Sequence, residues 1–502
     1  MSPGLRIDPG EHSALIRALD SFLRERGVAA WATGGYLRDT IMGRAAHDID
    51  IAVAGDPLAF GPDLAAVVGG HFFPLREERG QARIVVPGRH VYIDLMPLRA
   101  DDIMADLRLR DFTIDALAAP LAGLVEGDVA LIDPTDGLAD LRAGIVRMAG
   151  PRSFADDPLR LLRGPRIATE LAFAIEPATA EAIRSAAPTI VSAAPERQRD
   201  EIVRICSTGR AGDGFRLLDS LGLFSHVFPE MEATRGVEQP KEHHFDVLGH
   251  SFATVEALDW LMAVERPASS PAGELWEALW PQLEWCGGLR EYFDDEIAPG
   301  TSRRALLKLC GLLHDIAKPQ TKSFEANGRM RFFGHSEEGA EMAAGLMRRL
   351  RFSGREVQAV SLMIDAHLRP VQLGQQGPPS RRAIYRFFRD TGEAGIETLF
   401  LSMADHLGSV GPRINWDGFR AHVALTSYVL RLRFGEEQIV SPPRLVDGDE
   451  LMAALAIEPG PLVGELLEAV REAQAAGEVG TKEQALELAR KRLAEQRAAG
   501  PQ

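Results

Sequence analysis

The apolar positions of the chain follow two different rhythms. Residues 11–26 place them at helical spacing and predict an amphipathic helix. "GVAAWATGG" then reads as a short apolar strand ending in Gly34-Gly35, and "YLRDTIMG" as a helix ended by Gly43. "DIDIAV" is a second strand, while "QARIVV" and "HVYIDLMPL" alternate as paired strands about a Pro87-Gly88 turn. From about Ala155 the strand signals vanish. Helical periods take over in "DPLRLLRGPRIATELAF", "TAEAIRSAA" and "ERQRDEIVRIC". A His-rich helical region runs from about Glu242 to Leu407, with "PASSPAG" (267–273) as a loop insertion. "TKEQALELARKRLAEQR" closes the chain as a charged helix with a fraying tail. The prediction is an α/β first part followed by all-helical regions, without internal repeats.

The length of 502 residues suggests roughly three or four domains, and 45% hydrophobic with 25% charged residues is an ordinary globular composition. No apolar run reaches a membrane span, and the N-terminus shows no signal peptide, so no membrane partner is expected. Three scattered cysteines, Cys206, Cys286 and Cys310, fit a reducing cytoplasm rather than a disulfide framework. The net charge of −16 weighs against a broad nucleic-acid surface, so any RNA contact must be local.

Candidate chemistry appears first in "HDIDIAV", residues 47–53. Side chains alternate along a strand, so Asp48 and Asp50 point the same way. Two like charges on one face call for a cation between them. Upstream, Gly34 and Gly35 lie between strand and helix, where backbone N–H groups approach a phosphate. Arg38, expected in the first turn of that helix, would reach the same anion. Asp94, on another apolar strand, offers a third carboxylate. Three carboxylates on adjacent strands can hold two divalent cations about 3.5–4 Å apart, as phosphoryl transfer requires. The bland alternative is three solvated strand-edge residues.

"ATGGYLRDTIMGRAAHDIDIAV", "RDFTIDALA", "LIDPTDGLADLRAGIVRM" and "DDPLRLLRGPRIATELAF" occur in this order over about the first half of the chain. They closely resemble successive motifs of the class II tRNA nucleotidyltransferases, the bacterial CCA-adding and poly(A) polymerase family. The resemblance implies a polymerase-β-like palm with helical neck and body domains. It implies that Gly35 and Arg38 bind nucleotide phosphates, that Asp48 and Asp50 bind Mg2+, and that Arg110 contacts the nucleotide; Asp111 is expected to be structural. Asp157, Arg160, Arg163 and Arg166 recur at steps of three, one winding helical stripe with Pro158 in its first turn. On spacing alone these are a solvated ion-pair face. The resemblance instead implies a protein template, in which Asp157 accepts from the amino group of C or A and Arg160 donates to the neighbouring ring acceptor. Arg163 and Arg166 would extend the nucleotide contacts. Pro165 should kink this helix just before Arg166. The usual first arginine of "RRDFT" is Leu109 here, and the usual asparagine is Asp115. Between Asp94 and Arg110 stands only "LMPLRADDIMADLRL", whereas many relatives adding the full CCA carry a long flexible loop there.

A second constellation reads "HHFDVLGHSF", "LLHDIAKP", "FFGHSEEG", "IDAHLRP" and "MADHLG". Adjacent His314-Asp315 on an apolar helix is costly to bury unless paired or metal-bound. His250 and Asp405 complete an H…HD…D set, and His335 and His367 could bring a second metal. The set resembles the HD phosphohydrolase superfamily, which implies a divalent transition metal and phosphoester hydrolysis at RNA ends. Lys318 would contact a phosphate. His243, His244 and His406 are expected to be surface or supporting residues.

Basic clusters "MRRLRFSGR", "RRAIYRFFRD" and "ARKRLAEQR" are candidate RNA contacts, although their usual reading is a solvated helix face. The expected organisation is a palm over 1–150, a neck and body with the base-reading helix over 151–235, an HD domain over 236–410 and a C-terminal helical region over 411–502. The expected activity is template-independent addition of CMP, and AMP, from CTP and ATP to the tRNA 3′ end. Alternatives are a CC-adding enzyme, a poly(A) polymerase, or an HD phosphodiesterase with an RNA-binding N-terminal part. A non-enzymatic RNA scaffold would explain neither acidic set.

Overall fold

The computed structural model describes residues 7–46, 48–87, 91–127, 129–240, 243–375, 377–411, 413–436, 440 and 442–499. The chain divides into two compact units, 1–194 with 218–226, and 195–217 with 227–502.

The first unit is built on a six-stranded mixed sheet. Its strands are β1 (Ala30–Thr33), β2 (Asp48–Val53), β3 (His71–Arg76), β4 (Gln81–Val86), β5 (Val91–Pro97) and β6 (Ala118–Pro120), in the order β3-β4-β5-β2-β1-β6. β2 runs parallel to β5, and every other pairing is antiparallel. Alternation fixes the faces: Ile49, Ile51, Ile93 and Leu95 are fully buried, while Asp48, Asp50, Tyr92 and Asp94 project from the other side. The buried face is covered by helices. In Ser13–Glu25, the residues Leu15, Ile16, Leu19, Phe22 and Leu23 are buried at the expected helical period. Pro87 ends the β4 side of the expected hairpin turn, and Gly88 lies outside the described residues. Edge strand β3 escaped the apolar pattern because most of its residues are exposed, Phe73 and Leu75 included.

Strands do not vanish after Ala155. After it, β8 (Ala174–Ile175) pairs with β7 (Ile145–Val146), and short pairs form between β9 (Glu296–Ala298) and β10 (Thr301–Ser302) and between β11 (Lys322–Phe324) and β12 (Met330–Phe332). At two or three residues each, they are too short to show alternation.

The second unit is mainly helical. Helices Val247–Leu261, Arg303–Leu313 and Gly395–Val410 pack together, and His335–Arg349 lies against Gly354–Ala366. The expected insertion at 267–273 is irregular up to the helix Ala272–Leu279; Glu242, the expected start of the His-rich region, lies outside the described residues. The closing helix Lys482–Ala499 is more than a charged tail. Ala485, Ala489 and Leu493 join Leu451, Val463, Leu466 and Val470 in a separate small core.

Candidate active site and candidate metal centre

In the first unit, parallel pairing sets Asp50 beside Asp94 in register. Helix Gly34–Ile41 starts at the glycines themselves, and Gly34 adopts a positive φ of 63°. A Cβ at Gly34 would stand 3.0 Å from Asp50 Oδ2 and 3.4 Å from Arg110 Nη1, so the left-handed backbone favours glycine and a side chain would crowd the acidic face. The Tyr36 N–H donates to Asp50 Oδ2 at 3.3 Å, which places this carboxylate at the helix N-terminus. Burial, and then the neighbouring Asp94, push the Asp50 carboxyl up to about 6 despite Arg110 nearby. Asp48 is exposed on the same face. Glycine turn, acidic residues and Arg110 therefore meet at one place.

Two cations were not foreseen. Arg83, across the β4–β5 pairing, grips Asp94 with both ends of its guanidinium, at 2.6 and 2.7 Å. Asp106 takes Arg99 at 3.0 Å and Arg110 at 3.4 Å. Arg38 lies in the last turn of its eight-residue helix, not the first. It is buried, bonded to Asp115 at 2.7 Å and to Asp39 at 3.0 Å, and would reach an anion only by releasing one of them. Asp115, in place of the family's asparagine, makes this a charged pair.

The four-residue stripe is also rearranged. The helix begins at Arg160 and runs to Leu171, so Asp157 and Pro158 precede it rather than occupying its first turn. Asp157 is extended (φ −151°) and its carboxylate accepts from the Leu159 N–H at 3.1 Å. Arg160 donates to the carbonyls of Ser153 and Leu109, at 3.2 and 3.1 Å. Arg163 pairs with Asp111 at 2.9 Å, and Arg163 and Arg160 together outweigh burial to hold Asp111 below the usual carboxylate range. The helix continues through Pro165. Gly164 lets it approach Phe112, whose ring would be 2.9 Å from an added Cβ. Arg166 is buried and pairs with Glu170 at 2.8 Å, so it does not share an open stripe with Arg160 and Arg163.

In the second unit, helix ends carry the histidines. His314 and His367 cap the C-termini of Arg303–Leu313 and Gly354–Ala366, where the last carbonyls lack intrahelical donors. His314 Nδ1 donates to Gly311 O at 2.9 Å, and His367 Nδ1 to Ile364 O at 2.6 Å. His335 opens its helix, and its Nδ1 donates to Phe332 O at 2.7 Å. A carbonyl only accepts, so each Nδ1 carries a proton, and Nε2 is the atom left on each ring to bind a metal once its own proton is absent or displaced. Two ligand groups result: His250, His314 and Asp405, and Asp315, His335 and His367, each with its ligand atoms within 4.8 Å of one another. Asp315 faces both. Its Oδ2 is 3.2 Å from His250 Nε2 and 3.3 Å from His314 Nε2, while Oδ1 is 3.6 Å from His335 Nε2. Asp405 Oδ1 lies 3.1 Å from His250 Nε2.

This donor set fits divalent transition metals. Both oxygens of the fully buried Asp315 lack an aligned hydrogen bond, although Lys318 Nζ is 2.6 Å from Oδ2. A buried carboxylate in that state fits a cation ligand. Burial alone would lower His314, but Asp315 and Asp405 outweigh it and raise it to about 10. His314 and Lys318 in turn hold Asp315 well below its ordinary value. Lys318 also donates to Gln239 Oε1 at 2.7 Å. His243 supports the site edge-on to His250, with ring centres 5.7 Å apart; His244 is exposed, and His406 packs beside His422.

A mixed sheet presenting paired carboxylates to a glycine turn, in a chain that also carries an HD-type centre, defines a nucleotidyl-transferring enzyme class. Family comparison agrees. Residues 30–147 match the Poly A polymerase head domain, 172–234 the probable RNA and SrmB-binding site of polymerase A, and 288–409 the HD domain. The A-adding tRNA nucleotidyltransferase of Deinococcus radiodurans is 35% identical over 90% of this chain and 93% of its own length. The CC-adding tRNA nucleotidyltransferase of Geobacter sulfurreducens is 32% identical over 94% of each. Among solved structures, a CCA-adding enzyme with ATP shares the fold at TM-score 0.61 and 20% identity, covering 99% of this chain and 96% of the other. The chain belongs to the tRNA nucleotidyltransferase family, as its motifs indicated, and it is a nucleotidyltransferase with an appended HD domain. Among the described residues no helix is long and apolar enough to cross a membrane.

Proposed function

We propose that this chain extends the 3′ end of tRNA, transferring CMP and AMP from CTP and ATP. The observation that carries this is the meeting of the Gly34 turn, Asp50, Asp94 and Arg110 on one sheet. Asp48 and Asp50 would hold Mg2+, which supplies the charge that binds a triphosphate and stabilises departing pyrophosphate. Gly34 makes room for the Asp50 carboxylate at the glycine turn, and Arg110 lies beside it. Asp94, steadied by Arg83, keeps the acidic face oriented. The 3′ hydroxyl oxygen bonds to the α-phosphorus as the bond to pyrophosphate breaks. Asp157 and Arg160, the latter held by two backbone carbonyls, select bases with an amino group and an adjacent acceptor.

A second reading is an enzyme of single specificity. Between β5 and Arg110 the chain has only a short connection with the helix Ile103–Leu107, and the relatives above are named for A-adding or CC-adding. One experiment separates the readings. A tRNA lacking its 3′ CCA is incubated with CTP, then with CTP and ATP, beside a tRNA ending in CC with ATP. Growth to CCA supports the main reading, arrest at CC supports CC addition, and extension of the CC-ended tRNA alone supports A addition. No extension in any arm overturns the proposal.

For the organisation we propose a palm over 1–150, a neck and body over 151–235, an HD domain over 236–410 and a helical region over 411–502. The HD centre is proposed to hold two divalent transition metals on His250, His314, Asp405, Asp315, His335 and His367. Bound there, they supply a Lewis acid for phosphoester hydrolysis. Lys318 neutralises charge beside Asp315. Three buried free cysteines support a reducing compartment such as the cytoplasm.

A further inference from the structure

The hairpin of β11 and β12 leads directly into the metal centre. The Phe332 carbonyl at the end of β12 orients the His335 imidazole. Lys322 pairs with Phe332 and Phe324 with Met330, so these four side chains share one face, with Ser323 and Arg331 on the other. The first face is the one turned toward the centre, because Lys318 Nζ lies 5.5 Å from the Phe332 ring and 2.6 Å from Asp315. Further out, Lys322 Nζ lies 6.0 Å from the centre of the Phe324 ring, which is 64% exposed. Exposed Arg329 follows in the turn. The face thus alternates cation and aromatic ring outward from the metal ligands: Lys318, Phe332, Lys322, Phe324. That is the composition of a single-stranded nucleic-acid platform, with rings that stack bases and cations that meet phosphates. Lys318 is paired with Asp315 and Arg331 with Glu325, so the charge open to a phosphate here is that of Lys322 and Arg329, on a chain of net charge −16.

We infer that this hairpin is a base-stacking platform that feeds the 3′ end of single-stranded RNA into the HD centre, with Phe324 as the residue that favours a polynucleotide over a small phosphoester. The inference rests on the reading of that centre as a metal phosphohydrolase. In the reaction, a water oxygen bonds to phosphorus while one phosphate ester bond breaks and the leaving ester oxygen takes up a proton. Phe324 touches no reacting atom; it positions the strand.

The test uses the full chain. Hydrolysis of an RNA oligonucleotide ending in a 2′,3′-cyclic phosphate is compared with that of glycerol 1,2-cyclic phosphate, which has no base. Phe324→Ala should raise KM for the oligonucleotide by about tenfold, the loss of one stacked base, with its kcat and both constants for the glycerol ester unchanged. Phe324→Tyr should restore it. Independently, in protein stripped of metal, an oligonucleotide carrying 5-iodouridine near its 3′ end should photocrosslink within residues 322–333, and Phe324→Ala should abolish that crosslink. If wild type hydrolyses both substrates but Phe324→Ala changes neither KM and the crosslinks fall elsewhere, the platform is overturned. If wild type hydrolyses neither, the phosphohydrolase reading falls, and the crosslink alone decides the platform: a Phe324-dependent crosslink at 322–333 sustains RNA docking there, and its absence ends it.

Discussion

The two candidate metal sites solve one problem in opposite ways. In the palm the ligands are carboxylates on a half-open sheet face, and the protein's own arginines stand among them: Arg83 on Asp94, Arg110 beside Asp50. In the HD centre the ligands are mainly imidazoles, deeply buried, with three of the four Nδ1 atoms pinned by carbonyls. Among the described residues, both compact ligand groups belong to the HD centre and none to the palm. If the proposed ligands hold metal, this contrast sets when each site takes it. Paired imidazoles and carboxylates at fixed positions bind a metal as a resident. A carboxylate face neutralised by arginines would take its metal together with the charge of an incoming triphosphate.

The sharpest way to break this comparison is to remove each site separately. Asp48→Ala with Asp50→Ala should lower nucleotide addition at least about a thousandfold, several kcal/mol of transition-state stabilisation. Transition-metal content, read by elemental analysis, should stay as in wild type. Retained addition would remove these residues from the chemistry. Conversely, His314→Ala should lower affinity for the HD metals by about 100-fold or more, seen as lost metal after gel filtration. Nucleotide addition by this variant should remain within about twofold of wild type. Loss of addition instead would show that the two sites are coupled.

A smaller effect sharpens the contrast from the palm side. Asp50 is held up to about 6, against 3.8 for the free group. The folded state therefore binds more protons than the unfolded chain between these values, so metal-free stability should fall as pH rises from about 4 to 6 and then level. Asp50→Asn removes the penalty. In chelator at pH 7 to 8 it should be more stable than wild type by on the order of 1–3 kcal/mol, since each tenfold change in proton affinity is worth about 1.4 kcal/mol. The gain should vanish near pH 4, as read by denaturant titration. A variant that is less stable at neutral pH would mean that the carboxylate is not strained.

Much of this was legible in the chain. Period-two alternation placed Asp48, Asp50 and Asp94 on strands, and the order of the histidines and aspartates picked out the six side chains that the structure gathers into the candidate metal centre. What escaped depends on contacts between elements. Arg83 is two residues into β4, and only the register across the β4–β5 hairpin makes it the partner of Asp94. Steps of three suggested one helix from Asp157 to Arg166, but the Asx turn at Asp157 delays the helix to Arg160. The partner Glu170 then turns Arg166 into a buried ion pair. The carbonyls that fix three imidazoles come from helix ends and from a strand too short to read.

The basic cluster "RRAIYRFFRD" extends the same lesson to the surface, and it gives the smallest effect. Spacing marked it as a candidate RNA contact, yet its arginines already have partners. Arg382 meets Glu478 at 2.8 Å, Arg386 meets Glu472 at 2.6 Å, and Arg389 meets Glu468 at 2.8 Å, tying the helix Arg381–Thr391 to the helix Pro461–Ala475 and the turn after it. RNA phosphates would have to displace these glutamates. Arg490 and Lys491 are exposed on the closing helix, and among the described residues no carboxylate pairs with them. Exposed pairs are worth about 0.2–1 kcal/mol each and weaken with salt. Arg386→Ala should therefore lower stability by about that amount, less in high salt, and leave KM for tRNA within about twofold. Replacing Arg490 and Lys491 together with alanine should do the reverse, sparing stability and raising KM for tRNA with a shallower salt dependence. If Arg386→Ala weakens tRNA binding more than the double variant does, ion pairing within the protein has not taken that cluster out of RNA recognition, and partner occupancy is the wrong guide to which arginines touch the substrate.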